Sequence, residues 1–466
     1  MMAEKGGHPH PTVRKRTDDL RALPQAEGKG ARRPSTRLSM RERLRFLLSR
    51  LRERLWIKPL IACVLSVAGV LLAHLADRMV VDGSVPEVTQ TSVIALLKII
   101  AAGMLAVATF AVASMVSAYA SAGQIATARA FPLIVADDVS QNALSTFVGA
   151  FIFSVVGISA AMNGYYGRAG RFTLFVLMVV VLVIVVLTFV RWVDRIARLG
   201  RIGGIVDKVE EATAAALARR VRQPRLGGVA DESSVAGVAI HGVRIGYVQH
   251  IDMARLQRLA GEHGVRAGVA VLPGAYVSPA RALCRLHGAR DIDEAAVRKA
   301  FAQAFTIGPQ RQFDDDPRFG MVVLAEIAGR ALSPGINDPG TAIGVLGSLQ
   351  RLFAAAVSGG PADAPTCDRV AVPALALDEL FDDAFNAIAR DGAGIVEVAL
   401  RLQRHLGELG REYPALRTHA RRHADLALRR AERALAFPDD LDRVRARHAA
   451  YWSCAGATPR QFPDTA

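Results

Sequence analysis

Long apolar runs dominate the first half of the chain, between residues 56 and 192. The last run, Phe172 to Val190, holds only two polar residues, Thr173 and Thr188, among Leu, Val, Ile, Met and Phe. A helix on the surface of a soluble protein keeps one polar face, and this run lacks one. About 20 apolar residues at a rise of about 1.5 Å each match a hydrocarbon core about 30 Å thick. The pattern therefore predicts an integral membrane protein.

Four such runs predict four transmembrane helices, at about residues 57–76, 93–118, 144–162 and 172–190. The second run is rich in Ala and Gly, which let neighbouring helix backbones approach closely, so we expect it to be the central helix. Lys98 lies about one turn inside this run, where snorkelling to the interface is favoured over a role in an ion pathway. At the end of the fourth run, Arg191 and Trp192 predict an interfacial anchor.

Two segments precede the first run. Residues 1–40 are rich in Arg, Lys, Gly, Pro and His and lack apolar periodicity, which predicts a disordered basic tail. From residue 41 to 55, leucines recur at helical spacing among arginines, which favours an amphipathic helix at the lipid headgroups. An ordinary solvated helix fits that segment equally well. Residues 41–192 are therefore treated as one unit, an amphipathic helix followed by a four-span transmembrane domain.

Basic residues flank the runs unevenly. Arginines crowd the segments before the first run and after the fourth, whereas the loops at 77–92 and 163–171 carry one and two basic residues. The positive-inside rule then places both termini, and the 119–141 connection, in the cytoplasm. The expected location is the cell inner membrane, with a multi-pass topology.

The net charge of +15 comes from 58 Lys and Arg against 43 Asp and Glu. Basic residues next to the spans favour contact with anionic lipid headgroups. We find no zinc finger, no basic reader helix and no aromatic-basic interleaving, so nucleic acid is not an expected partner. Of the four cysteines, Cys63 lies inside the first run and the other three have no metal-type spacing, so neither a disulfide framework nor a zinc site is expected.

The patterns in the second half of the chain predict a soluble part. Residues 193–222 predict a long helix that acts as a stalk, and 236–357 alternate between strand and helix patterns, as in an α/β domain. After a linker, residues 376–452 show helical periodicity throughout. The predicted fold class is an α-helical membrane protein with four transmembrane helices, a cytoplasmic α+β domain and a helical C-terminal part.

The most distinctive motif lies between two of these helices, in residues 330–342. Asp338 suits a helix N-cap, with Pro339 at the first helical position, where a missing N–H costs nothing. Ser333, Asn337 and Thr341 suit side-chain to backbone hydrogen bonds. One interpretation is a purely structural turn. The other is a binding loop, in which Ser333, Asn337, Asp338 and Thr341 hold an anion or a headgroup near free helix N–H groups.

Two further clusters contain residues that can carry chemistry. Asp314, Asp315 and Asp316 are adjacent carboxylates, the ligands that a hard divalent cation prefers, although an N-cap explains them as well. His419 and His423 are spaced i, i+4 on a helix, but the arginines around them disfavour a metal, and solvated side chains are expected. No phosphate-binding loop, nucleophile elbow or Cys–His pair is present in the sequence. We therefore expect no enzymatic activity and no cofactor.

Three segments carry a family resemblance. They are the entry to the third span with Asp137, Gln141 and Phe147, the pair of segments at 246–252 and 273–277, and the segment from Asp316 to Thr341 with its Ser-Pro-Gly-Ile-Asn-Asp-Pro-Gly-Thr core. On these residues the chain resembles the bacterial predicted membrane proteins called the domain of unknown function 2254 family. The resemblance covers roughly residues 50 to 450 and implies a multi-span membrane protein with a cytoplasmic domain. It implies no particular activity.

The leading functional hypothesis is a membrane-anchored module, monomeric or oligomeric, whose cytoplasmic domain senses or binds a ligand. A first alternative is an oligomeric channel or transporter, with small residues of the second and third spans lining the path. The near absence of ionisable residues in the middle of the spans counts against it. A second alternative is a membrane-bound, metal-dependent hydrolase that uses Asp314 to Asp316 and Asn337 with a metal.

The predicted topology has a direct test in cysteine labelling of intact cells. A cysteine at Ser84→Cys should react with a membrane-impermeant maleimide from outside, because the 77–92 loop is expected to be external. A cysteine at Ser233→Cys should react only after the cells are permeabilised. The unmodified chain reports the background from its native cysteines, and the reverse labelling pattern would contradict the orientation.

Overall fold

The computed structural model describes residues 57–79, 86–125, 127–135, 138–199, 202–230, 237–288 and 295–453. The tail predicted at 1–40 and the amphipathic helix predicted at 41–55 lie outside these residues. Within them the protein is mostly helical, with a small region of β-sheet, in agreement with the coarse fold class expected from the sequence.

The described residues form fourteen α-helices. Those of the membrane-type half are α1 Ile57–Met79, α2 Gln90–Ile125, the short α3 Phe131–Val135, α4 Asp138–Met162 and α5 Arg168–Leu199. Those of the C-terminal region (202–453) are α6 Ile202–Arg222, α7 Met253–Glu262, α8 Ala295–Ala302, α9 Pro317–Ala331, α10 Pro339–Val357, α11 Leu377–Asp391, α12 Val396–Glu412, α13 Arg417–Ala434 and α14 Pro438–Trp452.

Eight short strands form two sheets in the described residues. The strands are β1 Gly228–Val229, β2 Val238–His241, β3 Gly246–Ile251, β4 Arg266–Val269, β5 Tyr276–Val277, β6 Ala282–His287, β7 Phe305–Gly308 and β8 Cys367–Ala371. The larger sheet has the order β1-β8-β4-β6-β2, with β8 parallel to both its neighbours and the other pairs antiparallel. The smaller sheet, β5-β3-β7, is antiparallel. Helices α7 and α8 contribute Leu256, Val297 and Phe301 to the core of this sheet region.

Four helices in the described residues are long and apolar enough to cross a membrane. Three are α2, α4 and α5, and the fourth is α10, whose mean hydropathy of 1.3 is well below the 3.3 of α5. However, α10 buries one whole face against α6, α9 and α12 in the core of the C-terminal region. The apolar stretch of α1, Leu60–Leu75, is shorter but packs against α4 and α5. We therefore assign α1, α2, α4 and α5 to the membrane bundle.

The third of these helices, α4, is the centre of the bundle, because α1 and α2 each pack against it more extensively than against α5. Its glycines allow that approach: a Cβ at Gly149 would lie 3.1 Å from the Ala62 Cβ, and one at Gly157 would lie 3.3 Å from Leu97. The expectation that the second span is central was wrong. Many small residues of α2 are exposed instead, and a Cβ at Gly103 would meet no atom within 4 Å.

Polar side chains inside the bundle bind backbone carbonyl groups of neighbouring helices. Ser66 Oγ donates to the Gly149 carbonyl at 2.8 Å, and Gln90 Nε2 donates to the Ala161 carbonyl at 2.6 Å. Such bonds are favourable where no water competes for them. Trp192, expected at the interface, is only 1% exposed and is enclosed by the rings of Phe110, Phe147 and Phe189. Lys98 is exposed on the outer surface of α2.

Helix α6, the segment predicted as a stalk, does not stand apart from the rest. Its residues Ile205, Val209 and Leu217 are buried in the core that α9, α10, α11, α12 and α13 form. The predicted division at residue 357 therefore runs through this core, because α9 and α10 pack with the later helices. The two sheets and their helices form a separate hydrophobic core.

The connection between α2 and α4 also reaches this core. Ala130 is fully buried among the residues of α6 and α9, and Arg129 forms an ion pair with Glu326 of α9. At the opposite end of the bundle, the His74 ring is hydrogen bonded to the Tyr165 carbonyl at 2.8 Å. The α2–α4 connection and the C-terminal region therefore lie at the same end of the bundle, as an even number of crossings between them requires.

Replacing the glycine at the centre of the bundle tests this arrangement. In Gly149→Val the branched side chain would overlap α1, so we expect a loss of stability of about 1–3 kcal/mol. Thermal unfolding of the detergent-purified protein measures the loss. The matched control is Gly103→Val, where the new side chain meets open space. Its thermal unfolding midpoint should stay within about 1 °C of the parent value. Equal destabilisation by both substitutions would contradict the central position of α4.

Candidate functional site

The distinctive turn between α9 and α10 is held by its own side chains. The Asp338 carboxylate accepts a hydrogen bond from the Thr341 backbone N–H at 3.1 Å and another from the Thr341 hydroxyl at 2.5 Å. The Thr341 hydroxyl, followed by the backbone bonds, lowers the pKa of Asp338. The predicted N-cap, with Pro339 in the first turn, is therefore present.

The other two residues predicted in this loop also stabilise the turn. Ser333 Oγ donates to the Arg330 carbonyl at 2.7 Å, and the Ser333 carbonyl accepts from the Asn337 N–H at 2.9 Å. Asn337 has φ +50°, a left-handed conformation that Asn adopts more readily than most residues. All four predicted residues thus lie together, and their hydrogen bonds in the structure are to the turn itself.

A groove opens beside this turn, between α6 and α10. It has a volume of about 580 Å³, and its walls come from the first turns of α6 and one face of α10. The residues that line it are Gly203, Val206, Asp207, Asp338, Gly340, Thr341, Gly344, Val345, Ser348 and Arg351. Small residues on both helices keep the groove open. The sequence indicated the α10 side of this groove but not the α6 side.

The two helices run parallel, which fixes the position of the groove. Gly203 lies across from Gly340, and further along Arg351 binds Glu210 through two hydrogen bonds of 2.7 and 2.6 Å. Near the far ends, a Cβ at Gly359 would lie 2.3 Å from Val221. Because α6 begins directly after α5, the groove lies at the end of the C-terminal region next to the bundle.

A second polar cluster forms where the segments that carried the family resemblance meet; we call it the motif junction (Gln249, His250, Gly274, Arg311 and Asp314 to Asp316, with Arg219 and Arg220 of α6). His250 Nδ1 lies 2.6 Å from Asp315 Oδ2. The buried Asp316 carboxylate binds Arg311 at 2.7 and 3.0 Å and caps α9 through the Phe319 N–H at 3.1 Å.

Gly274 is required at the motif junction. Its φ is +91°, and a Cβ there would lie 2.1 Å from Asp316 Oδ2, so no other residue fits without displacing the carboxylate. Burial raises the pKa of Asp316, and the hydrogen bond and charge of Arg311 oppose that rise. The 273–277 turn and the aspartate run are thus in direct contact, a relation that neither segment reveals alone.

Two arginines from the end of α6 close the motif junction. Arg219 donates to the Asp314 carbonyl, and Arg220 donates to the Asp315 carbonyl at 3.4 Å. Arg220 is only 6% exposed, and this burial lowers its pKa, although Asp315 and Asp316 oppose the change. The last turn of α6 is therefore fastened to the loop that starts α9.

The three aspartates do not converge as metal ligands. Asp315 faces His250, and Asp316 faces Arg311 and the start of α9. Across the part of the chain that the structure describes, no group of three His, Cys, Asp or Glu residues has an arrangement that could hold a metal ion. In this structure the aspartate run joins β3, α6 and α9.

The expectation of solvated histidines was wrong for His423, which is 2% exposed. Its ring packs against Phe381 and Phe385 of α11, and its Nε2 lies 3.2 Å from Asp382 Oδ1. Burial lowers the pKa of His423 to about 4, against an opposing effect of Asp382. His419 is more exposed and is hydrogen bonded to Asp378 at 2.6 Å.

The low pKa of His423 predicts acid-sensitive packing of α11 against α13. The unfolded chain, with an ordinary value of 6.5, binds more protons than the folded chain between pH 6.5 and 4. The contribution of His423 to the free energy of unfolding should therefore be fully present above pH 6.5. It should fall by about 3 kcal/mol as the pH drops from 6.5 to 4. Thermal unfolding of the purified protein across this range measures it. His423→Gln should flatten the decline and His419→Gln should retain it; an unchanged decline in His423→Gln would refute the assignment.

The comparisons with known proteins add a family and nothing closer. No curated protein and no solved structure matches the chain. A family model described as predicted membrane protein (DUF2254) matches residues 52–408. This match spans the bundle, the two sheets, the motif junction and the α9–α10 turn, and it confirms the resemblance drawn from the sequence motifs. The chain belongs to the DUF2254 family of predicted membrane proteins.

Proposed function

We propose that this protein is a membrane-anchored sensing and binding module, whose C-terminal region lies in the cytoplasm and responds to the state of the membrane bundle. The observation that carries the proposal is the double attachment of that region. Helix α5 leads into α6, and the connection between α2 and α4 is separately docked through Ala130 and the Arg129–Glu326 ion pair. A simple tether needs only the first attachment.

The double attachment supports transmission between the two parts. The first attachment meets α6, and the second meets both α6 and α9. At its far end, α6 is fastened to the start of α9 by Arg219 and Arg220. A change in the relative positions of α2, α4 and α5 would therefore displace α6 along its length and α9 at two places, its start and Glu326. Packed interiors transmit such shifts because they deform little.

The groove between α6 and α10 is the place where we expect a ligand. It is concave, it lies next to the bundle, and its volume of about 580 Å³ is in the range of small-molecule sites. The predicted loop forms its rim, with Asp338 and Thr341 facing the groove. The hydrogen bonds of this loop keep the rim rigid, and rigidity lowers the cost of binding.

The orientation and location remain proposals that rest on charge. Arginines after α5 favour the cytoplasmic side and contact with anionic headgroups, with both termini inside and the bundle in the inner membrane. Homo-oligomers would fit the exposed apolar and small residues of α2 and α5. An oligomeric channel stays an alternative, which would require a path between copies, because Gly149 and Gly157 are already used to pack the helices of one chain. A metal-dependent hydrolase has no supporting geometry among the described residues.

Hydrogen exchange in nanodiscs tests the coupling. The full chain is prepared in bilayers of short and of long acyl chains. The two bilayers differ in thickness, so the mismatch between the hydrophobic length of the bundle and the bilayer differs between them. We expect the amides of α9 and of Phe131–Val135 to differ in exchange rate by at least threefold between the bilayers. In Arg129→Glu, two carboxylates face each other at the docking contact, so the difference should shrink, and Arg129→Glu combined with Glu326→Arg should restore it.

The control is Arg258→Glu, a charge reversal at an exposed position of α7 away from the docking contact. It should leave the difference between the bilayers unchanged. The ion pair is partly exposed, so global stability should change by less than about 1 kcal/mol in every variant. Identical exchange of α9 in the two bilayers would show a passive anchor and refute the proposal.

A further inference from the structure

A row of nitrogen-rich side chains crosses one end of the larger sheet. Arg369, Arg266 and His287 come from the neighbouring strands β8, β4 and β6. Arg266 lies directly opposite His287 in the antiparallel pair, and Ala267 lies beside Val370 in the parallel pair. Side chains alternate between the two faces of a strand, so Arg266 and Arg369 lie on one face of the sheet, opposite to the buried Ala267 and Val370.

These side chains surround one open pocket of about 460 Å³. Its floor and walls are more polar than apolar, and the remaining lining residues are Gly264, Gly288 and Asp368. Gly264 and Gly288 both have positive φ, and a Cβ at either would meet no atom within 4 Å. Two glycine turns therefore leave the mouth of the pocket wide.

The lining of this pocket contains two guanidinium groups and one carboxylate. Arg266 and Arg369 lie side by side on adjacent strands, and like charges in such positions are destabilising. Among the residues that the structure describes, no carboxylate forms an ion pair with Arg266, His287 or Arg369. The one carboxylate of the pocket, Asp368, is hydrogen bonded by Gln257 Nε2 at 2.5 Å, on the side of α7.

We propose that this pocket binds an oxyanion of the phosphate class, with Arg266 and Arg369 as the principal contacts. Two guanidinium groups offer planar pairs of N–H donors that match phosphate oxygens, and the imidazole of His287 adds a further donor. Binding removes the repulsion across the strands. The ligand is either a free phosphate compound or the phosphate of a lipid headgroup, and both present the same chemistry. The pocket is separate from the groove between α6 and α10.

Titration calorimetry of the full chain tests the site, with inorganic phosphate and pyrophosphate as the probes. The protein is held in nanodiscs of zwitterionic lipid at constant ionic strength. We expect saturable binding of one anion per chain, tighter for pyrophosphate. In Arg266→Gln combined with Arg369→Gln, the affinity should fall at least tenfold. The matched control is Arg244→Gln, an exposed arginine of the same region outside the pocket, and its affinity should stay within twofold of the parent.

Repeating the titration in nanodiscs that contain anionic lipid identifies the source of the phosphate. If anionic lipid lowers the affinity for the probe anion at least threefold in the parent, but not in the double variant, the pocket binds a lipid headgroup. An unchanged affinity assigns it to a free phosphate compound. Absence of saturable binding, or an equal loss in Arg244→Gln, overturns the proposal. Circular dichroism and the elution volume of each variant verify that the fold is retained, because all three side chains lie at the surface or partly exposed.

Discussion

The burial of α6 is the constraint on which the rest of the structure depends. This helix follows the last membrane helix directly, and its apolar face, with Val206 and Val209, is enclosed by α9 and α10. Gly320 meets it so closely that a Cβ there would overlap Thr213. A helix so enclosed cannot move as a flexible linker does. Side-chain packing along its length therefore makes α6 part of the core of the C-terminal region, and the docking of the α2–α4 connection adds a second attachment to the bundle.

Much of the membrane half was predictable because its signal is local. Apolar runs of sufficient length define the spans, and the helices α1, α2, α4 and α5 contain the four predicted ones. Which helix occupies the centre was not predictable from composition. Ala and Gly mark a helix that tolerates close approach, and the partner decides whether the approach occurs: Gly149 of α4 meets Ala62, whereas Gly103 of α2 meets nothing. Likewise, α6 has the charge pattern of a solvated helix, and only its partners reveal that one face is buried.

The candidate sites also differ in whether their contacts are local in the sequence and therefore predictable from it. The cap formed by Asp338, Pro339 and Thr341 follows from neighbouring residues, and the sequence predicted it. The motif junction joins positions about 65 residues apart, as in the His250–Asp315 contact. Each of its segments has a local explanation, as a strand, a turn or an N-cap. Gly274 marks a turn in the sequence, but only the structure shows that the Asp316 carboxylate lies against its Cα.

The central position of α4 has a consequence for the biogenesis of the protein. Helices α1 and α2 are synthesised first, yet the extensive packing of each is with α4 and not with the other. Chains enter the membrane from the N-terminus as they are made. The first two spans therefore have no stable partner until the third has been inserted, and they must remain in the bilayer or beside the insertion machinery until then. Gln90 also lacks its carbonyl acceptor in this interval, since Ala161 belongs to α4.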